Sequence, residues 1–584
     1  MHMGITYGHG ATVALLSDDG TLVYCESEER FNKVKGSTGM PYRTVEYIYD
    51  TICAPEDIKT CTLYHGWSWW EVIRNEQFKS HPFARYLAGS PRCSRVYRAN
   101  TVDPNSLLPA FDVTEYLKHD YTTVEERNTK ARAFFAAATR LPPEKINALH
   151  HHIGHAYSGL PFYPDDRPRL IFTHDGYGDG LCATVGRYKD GELRFASTTS
   201  HELTGPRIFS RVTGLLGMKV NEHESKLMGL APYAKAEYAE PLADELGRMQ
   251  WVDDEGKWQI AFPNGEEFDA AIDDLFRHQR FDNIAGATQL HFERMMLRWI
   301  ETWVRLSGVR DIACSGGAFM NVKANQVIAE STWVDSIVVV PSCGDESVSI
   351  GAALYGYQKA NGTATPIGRI KGLYLGRTVD NAAVEAALAD ADFGGHYTVT
   401  READINGRVA ELLARGEVVA RCAGRSEFGA RALGNRSILA DPSRPDSVHF
   451  INEAVKNRDF WMPFAPSIME EKADLYLRNP KNQFSPYMML TFDSTEEGRR
   501  RFIAAQHQYD FTMRAQIVTA DFNRQYHALL RRFGDLTGTY GVLNTSFNLH
   551  GEPIVSDAPE ALRAFVQSGL KYMALCDYLL VRNG

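Results

Sequence analysis

Cysteine is scarce in this chain, and what there is does not pair by spacing. Nine cysteines are scattered from Cys25 to Cys576 in 584 residues, an odd number with no Cys-x-x-Cys pair. That excludes a disulfide framework and a thiolate zinc site, and it predicts reduced thiols in a cytoplasmic protein. A run of about 18 apolar residues is also missing, so no transmembrane helix is expected. The opening Met1-His2-Met3-Gly4 lacks a charged region followed by a long apolar stretch, so it is not read as a signal peptide. An excess of positive charge is missing too. Lys and Arg number 63 against 73 Asp and Glu, a net charge of −10. A dedicated nucleic-acid binder carries a basic bias, so composition leaves room only for local basic pockets.

What is present fits a large soluble α/β protein. At roughly 150 residues per domain, the length predicts two to four folding units. Ile5-Thr6-Tyr7, Gly8-His9-Gly10, apolar Ala11 to Leu16, the turn Asp18-Asp19-Gly20 and Thr21 to Cys25 read as strand, turn, strand, turn, strand. The layout returns near residue 170. Leu170 to Thr173 leads into Asp175-Gly176-Tyr177-Gly178-Asp179-Gly180, then Leu181 to Val185, Lys189-Asp190-Gly191 and Leu193-Arg194-Phe195. The spacing of about 165 residues is too long for a solenoid and suits a duplicated α/β unit facing one cleft. Two unrelated hairpins would give the same pattern. Residues 61–140, with Trp67, Trp69 and Trp70, lack periodicity and read as an insertion or lid. Residues 265–308 read as helical, Asp311 to Cys314 and Asp335 to Val340 as strands, and Ser349 to Tyr357 as a helix. Lys359 to Pro366 reads as a linker. The expected domains are therefore 1–365 and 366–584.

Several clusters carry chemistry. In His150-His151-His152-Ile153-Gly154-His155, His151 and His155 are four apart, which on a helix puts both imidazoles on one face. Asp175 and Asp345 each follow a strand and precede or follow glycine. Two histidines with carboxylate oxygens and open positions suit iron(II) or a similar divalent ion. A run of surface histidines at a helix start is the competing reading. The turns at Asp175-Gly176 and at Ser315-Gly316-Gly317, with Asn321 beyond, offer close backbone approach and free N–H groups to a nucleotide. Lys226, in Glu-Ser-Lys-Leu-Met-Gly-Leu, sits where it can meet phosphate, or water. Arg431 and Arg436 stand amid glycine and alanine, with Lys456, Arg458 and Trp461 to Pro466 further on. Arginine forks match phosphate oxygens, so these read as an anion pocket, against the alternative of an exposed basic face. Asn544-Thr545-Ser546-Phe547-Asn548 adds neutral donors on a turn after a strand.

Taken together, His-His-Ile-Gly-His, Lys-Leu-Met-Gly-Leu-Ala, Gly-Ala-Arg-Ala-Leu-Gly-Asn-Arg-Ser, Phe-Ala-Pro-Ser (Phe464 to Ser467) and Asn-Thr-Ser-Phe-Asn resemble the O-carbamoyltransferases of natural-product tailoring. These act on nodulation factors, cephalosporins and aminoglycosides. The resemblance covers essentially the whole chain and is weakest at 61–140. It implies an N-terminal duplicated actin-like ATPase (ribonuclease H-like) domain, similar to tRNA threonylcarbamoyl transferases. It also implies a C-terminal α/β domain similar to the partner enzyme that forms the acyl-adenylate. The implied reaction makes carbamoyl adenylate from carbamoyl phosphate and ATP, with release of phosphate and pyrophosphate. A hydroxyl of a small molecule then takes the carbamoyl group.

By that resemblance His151, His155, Asp175 and Asp345 bind iron(II) or a similar metal. Gly176, Gly316, Gly317 and Asn321 hold the nucleotide. Arg431, Lys456, Arg514, Asn544 and Ser546 hold carbamoyl phosphate and the ATP phosphates, with Arg436 and Arg458 as helpers. His9, and with it Lys226, serves the transfer chemistry, His9 as base for the acceptor hydroxyl. Magnesium and ATP are implied alongside the metal, and a homodimer is common among such enzymes. Where the family often has Asp after the N-terminal histidine this chain has Gly10, and Ser225 stands where glycine is common. Two other functions share parts of the pattern, a tRNA threonylcarbamoyl enzyme and an actin-like sugar kinase. The acidic composition and the arginine-rich pocket fit a small acceptor better than tRNA.

Overall fold

The structure is a computed structural model, and it describes residues 1–64, 124–179, 181–200, 203, 207–362, 365–370, 372–391, 395–456 and 458–583. The tryptophans at 67, 69 and 70 of the expected lid lie outside the described residues. The chain divides into two compact units. The first comprises Met1–Asn221, Glu237–Arg280 and Ala287–Ile370, and the second Glu222–Ala236, Phe281–Gly286 and Lys371–Gly584.

The first unit contains two five-stranded sheets of the same design. Strands β1 (His2–Thr6), β2 (Thr12–Leu16), β3 (Leu22–Ser27), β4 (Thr60–Tyr64) and β5 (Ile146–Leu149) lie in the order 3-2-1-4-5. Strands β6 (Arg169–Gly178), β7 (Leu181–Lys189), β8 (Glu192–Ser200), β9 (Asp311–Ser315) and β10 (Ser336–Val339) lie in the order 8-7-6-9-10. In each sheet the first three strands form an antiparallel meander, the fourth pairs parallel with the first, and the fifth pairs parallel with the fourth. Identical order and direction twice over is the duplicated ribonuclease H-like plan of actin-like proteins; the repeated hairpin predicted the duplication, and the family resemblance implied the plan. The central strands are buried on both faces, which is why β1, β2 and β9 read as near-continuous apolar runs.

Helices α1 (His151–Ser158) and α3 (Val348–Asn361) cover these sheets, with α2 (Glu224–Leu230) lying in the second unit. Glycine sets the spacing. A Cβ on Gly351 would meet the Gly154 carbonyl at 1.8 Å, and one on Gly4 would meet the Ser349 carbonyl at 2.0 Å. The backbones of α3, α1 and β1 therefore touch, and α1 is held rigidly beside the strand ends.

The second unit is built on an eight-stranded mixed sheet. Its strands are β11 (Tyr397–Arg401), β12 (Val419–Cys422), β13 (Arg436–Ala440), β14 (Ala465–Met469), β15 (Gln516–Val518), β16 (Gly541–Ser546), β17 (Tyr572–Leu575) and β18 (Tyr578–Arg582). Their order is 11-18-17-12-13-16-14-15. Val409, Leu412, Leu413, Leu529, Leu530 and Phe533 from two helices fill its core. The composition break near 365 lies close to the division at Ile370, but 222–236 leaves its chain neighbours to join the second unit. The reason is local: Gly229 of α2 lets Met462 and Trp461 close against the helix. Among the described residues no helix is long and apolar enough to cross a membrane.

Candidate active site

The first unit brings four expected ligands to one point. Asp175 lies in the C-terminal part of β6, Asp345 follows β10, and His151 and His155 project from α1 after β5. His151 Nε2 lies 2.9 Å from Asp175 Oδ2 and 3.0 Å from His155 Nε2. His155 Nε2 lies 3.2 Å from Asp175 Oδ2, and Asp345 Oδ1 is 3.6 Å and 3.8 Å from the two imidazoles. One donor atom from each residue falls within 4.8 Å of all the others. Neighbouring donors on a cation with bonds of about 2.1 Å sit about 3 Å apart, and opposite ones about 4.2 Å. The set therefore fits a divalent metal in spacing and in chemistry.

The supports of this site are visible around it. His150 caps α1 by accepting the His152 N–H, and the Asp179 carboxylate accepts the His151 N–H at 2.9 Å. His155 Nδ1 meets Ser315 Oγ at 3.2 Å, which fixes the ring that presents Nε2. His152 turns away, tied to Thr173 Oγ1 at 2.7 Å and the Leu181 carbonyl. Burial works against a charged His155, but the Asp175 and Asp345 carboxylates outweigh it and lift its pKa to about 9. Burial would likewise raise Asp175, yet hydrogen bonds from His151 and His155 hold it well below the usual carboxylate range.

The expected nucleotide residues have mixed fates. Gly316, at φ 101°, lies so close to the His174 carbonyl that a Cβ would meet it at 2.3 Å. A Cβ on Gly317 would sit 3.0 Å from Asp175 Oδ1, so this glycine leaves room for the carboxylate. Gly176 is exposed with open space around it. Asn321 is different. Its oxygen caps a helix by accepting the Ala324 N–H, and its amide exchanges hydrogen bonds with Gln289. These contacts fix its side chain in the fold.

His9 is exposed between Gly8 and Gly10 in the turn after β1. Thr6, at the end of β1, donates to the Asp345 carbonyl at 3.0 Å, and Gly10 faces Glu346. The His9 turn thus lies beside the Asp345–Glu346 segment. Glu346, which sequence reasoning passed over, accepts from Ser342 Oγ. Burial raises its pKa.

The second unit gathers the arginines. Arg458 donates to Thr545 Oγ1 at 3.1 Å and lies over the Phe464 ring. Burial, and then repulsion from Arg431, lowers its pKa to about 10. Burial, Arg431 and Arg458 push Arg514 well below the usual arginine range. Lys456 is buried and reaches Ser546 Oγ at 3.1 Å and Asn548 Oδ1 at 2.6 Å. Asn544 donates to the Ala432 carbonyl and Ser467 Oγ, while its side-chain oxygen is buried with no hydrogen-bond partner among the described residues. Glu427, missed from sequence, shapes the loop by accepting the N–H groups of Leu433, Asn435 and Arg436 on one oxygen.

Arg436 and Lys226 each have partners of their own. Arg436 is fully buried, and its guanidinium donates to the carbonyls of Ser556, Ala423, Asn435, Gly424 and Arg377. Its donors are spent inside the fold, because a buried fork between strands must find acceptors. Lys226 belongs to the second unit, where its ammonium lies 2.9 Å from Asp459.

Comparison with known proteins settles the class. A family model described as carbamoyltransferase N-terminus matches residues 2–354, and one described as carbamoyltransferase C-terminus matches residues 410–582. The chain belongs to the carbamoyltransferase family. Nodulation protein NolNO of Sinorhizobium fredii (strain NBRC 101917 / NGR234) is 28% identical over 577 residues, covering 98% of this chain and 78% of its own length. Nodulation protein U of Rhizobium tropici is 29% identical over 594 residues, covering 96% and 92%. Among solved structures, the activator of the 2-hydroxyisocaproyl-CoA dehydratase from Clostridium difficile, with bound ADPNP, aligns with 64% of this carbamoyltransferase and 100% of its own chain. Its identity is 15% and its TM-score 0.33, so the fold rests on the strand order of the chain itself.

Proposed function

We propose that this carbamoyltransferase is ATP-dependent and works through carbamoyl adenylate, which it makes in the second unit and consumes in the first. The observation that carries the reading is the cluster of Arg431, Arg458 and Arg514, in which burial and then repulsion from Arg431 lower the pKa of Arg458, and burial, Arg431 and Arg458 lower that of Arg514. Concentrated positive charge of this kind is costly unless a polyanion enters it. Carbamoyl phosphate and ATP are both polyanions. Releasing phosphate as well as pyrophosphate while keeping the carbamoyl group on AMP balances with one water consumed.

In the pocket, Arg431, Arg458 and Arg514 take phosphate oxygens, with Lys456 and Ser546 beside them. The orphaned Asn544 oxygen is an acceptor suited to the carbamoyl N–H. In the first unit, His151, His155, Asp175 and Asp345 would hold iron(II) or a similar ion, which supplies positive charge for the departing AMP phosphate. Gly176, Gly316 and Gly317 line the backbone beside these ligands. His9 accepts the proton as the acceptor oxygen attacks the carbamoyl carbon and the bond to AMP breaks. The acceptor is a hydroxylated small molecule, in keeping with the two nodulation relatives. The test is incubation with carbamoyl phosphate, ATP and a panel of hydroxylated metabolites. A mass gain of one carbamoyl group, with AMP formed, is expected. ADP as the nucleotide product overturns the adenylate route.

A further inference from the structure

The chain leaving β16 folds back on Lys456. The Lys456 ammonium donates to Ser546 Oγ at 3.1 Å and to Asn548 Oδ1 at 2.6 Å. Ser546 Oγ in turn donates to the same Asn548 oxygen at 2.7 Å. The Asn548 amide is locked in this orientation, because its Nδ2 donates to the Leu549 carbonyl at 2.9 Å and the Glu552 carbonyl at 2.7 Å. Those carbonyls only accept, so the Asn548 oxygen must face Ser546 and Lys456. The one hydrogen of the Ser546 hydroxyl is therefore spent on Asn548. An ammonium has no lone pair, so Ser546 accepts from Lys456 and keeps one lone pair over. Asn544 stands two residues before Ser546 in β16, on the same face of the strand. Its Nδ2 is spent on the Ala432 carbonyl and Ser467 Oγ, and its Oδ1 is a buried acceptor with no hydrogen-bond partner among the described residues. What Asn544 and Ser546 have left to offer is acceptor capacity alone.

On the reading of the second unit as the site that binds carbamoyl phosphate, we propose that Asn548 is a positioning residue that turns Ser546 into an acceptor, so that Ser546 and Asn544 recognise the amino group of carbamoyl phosphate and reject acyl phosphates that lack one. The amino group brings two N–H donors, one for each oxygen. The methyl group of acetyl phosphate is of similar size and brings none, so both acceptors would lose water and gain no partner. A site built to pair a polar group rejects the isostere without it far more strongly than a site that measures size alone. With Asn548 removed, the Ser546 hydrogen is released to turn toward the acyl carbonyl oxygen, which both compounds share. The lock on that hydroxyl is what tells them apart. Asn548 acts through Ser546 and not by touching the substrate.

The experiment is titration calorimetry of the full chain with carbamoyl phosphate, acetyl phosphate and inorganic phosphate. Wild type is expected to bind carbamoyl phosphate at least about 100-fold more tightly than acetyl phosphate. In Asn548→Leu, acetyl phosphate and inorganic phosphate are expected to shift together, and carbamoyl phosphate to weaken at least about tenfold beyond them. Ser546→Ala, a smaller change that tests the same point if Asn548→Leu does not fold, is expected to narrow the gap between the two acyl phosphates as well. Equal affinity of wild type for the two acyl phosphates overturns the inference. So does a loss in Asn548→Leu or Ser546→Ala that is the same for all three ligands, since that makes the network structural. Selective binding of carbamoyl phosphate with ADP as the nucleotide product sinks the adenylate reading and leaves this assignment standing.

Discussion

His151 and His155 set their Nε2 atoms 3.0 Å apart, on one face of a helix whose start is held by the Asp179 carboxylate. Two imidazole nitrogens at that distance, with carboxylate oxygens beside both, demand a positive centre between them. A shared proton or a metal ion satisfies it, and the depressed Asp175 carboxyl is the mark of that charge.

The chain should therefore bind one divalent ion tightly. Calorimetry with Mn(II), Co(II) or Fe(II) is expected to give one site per chain, and Asp175→Asn or His155→Ala to weaken it by at least about 100-fold. A variant with all four ligands intact but His152→Gln should bind metal nearly as wild type, since His152 faces Thr173 instead. Equal loss in that control would mean that α1 unfolds, and the ligand assignment would fall.

Arg436 gives the opposite kind of prediction. Arg436→Met leaves several buried carbonyls without donors, so it should cost at least about 3 kcal/mol. Thermal melts and soluble yield are the readouts. A variant that folds and melts like wild type but binds ATP weakly would return Arg436 to the phosphate site.

The histidine cluster and the surroundings of Arg436 differ in the range of the signal that marks them in the sequence. The four-residue spacing of His151 and His155 is a local property of a helix, and Asp175 and Asp345 were marked by their position after strands. The repeat of hairpins was equally local, and it exposed the duplicated sheets. Arg436 and Arg431 carry the same local signature, glycine and alanine neighbours. What separates them is distant, the Ser556 carbonyl on one side and Arg458 with Arg514 on the other. The partner of Asn321, Gln289, lies 32 residues away and is equally invisible to a local reading. The excursion of residues 222–236 has no composition break to announce it, and depends on Gly229 meeting Met462.

Acid should destabilise the first unit through two buried histidines. Burial and the N-terminal ammonium lower His2 to about 4, and burial with Arg294 lowers His291 to about 3. Each stays neutral in the fold while its unfolded form takes up a proton below about pH 6.5. The unfolded state then binds more protons, so stability is complete above about pH 6.5 and falls as pH drops toward the folded values. Each histidine contributes about 1.4 kcal/mol per pH unit in that window. Denaturant melts from about pH 7 to about pH 5 should show a shallower slope in His291→Leu, by that amount, whatever its absolute stability. An unchanged slope would show that His291 is protonated in the fold.

Arg514 links stability and activity with opposite signs. The residue is half-buried, its Nε is buried with no hydrogen-bond partner among the described residues, and Arg431 and Arg458 repel it. Arg514→Met keeps the stem's volume and removes one charge from the trio. The ligand-free variant should melt at a temperature equal to or above that of wild type, since repulsion among the remaining two falls. Carbamoyl-phosphate-dependent pyrophosphate exchange should drop by about 100-fold or more, the usual effect of losing one preorganised charge on a phosphoryl centre. Residues chosen only for stability do not behave this way, whereas a functional charge cluster trades stability for binding. A lower melting temperature with exchange intact would make Arg514 a structural residue and remove the main physical argument for a polyanion pocket.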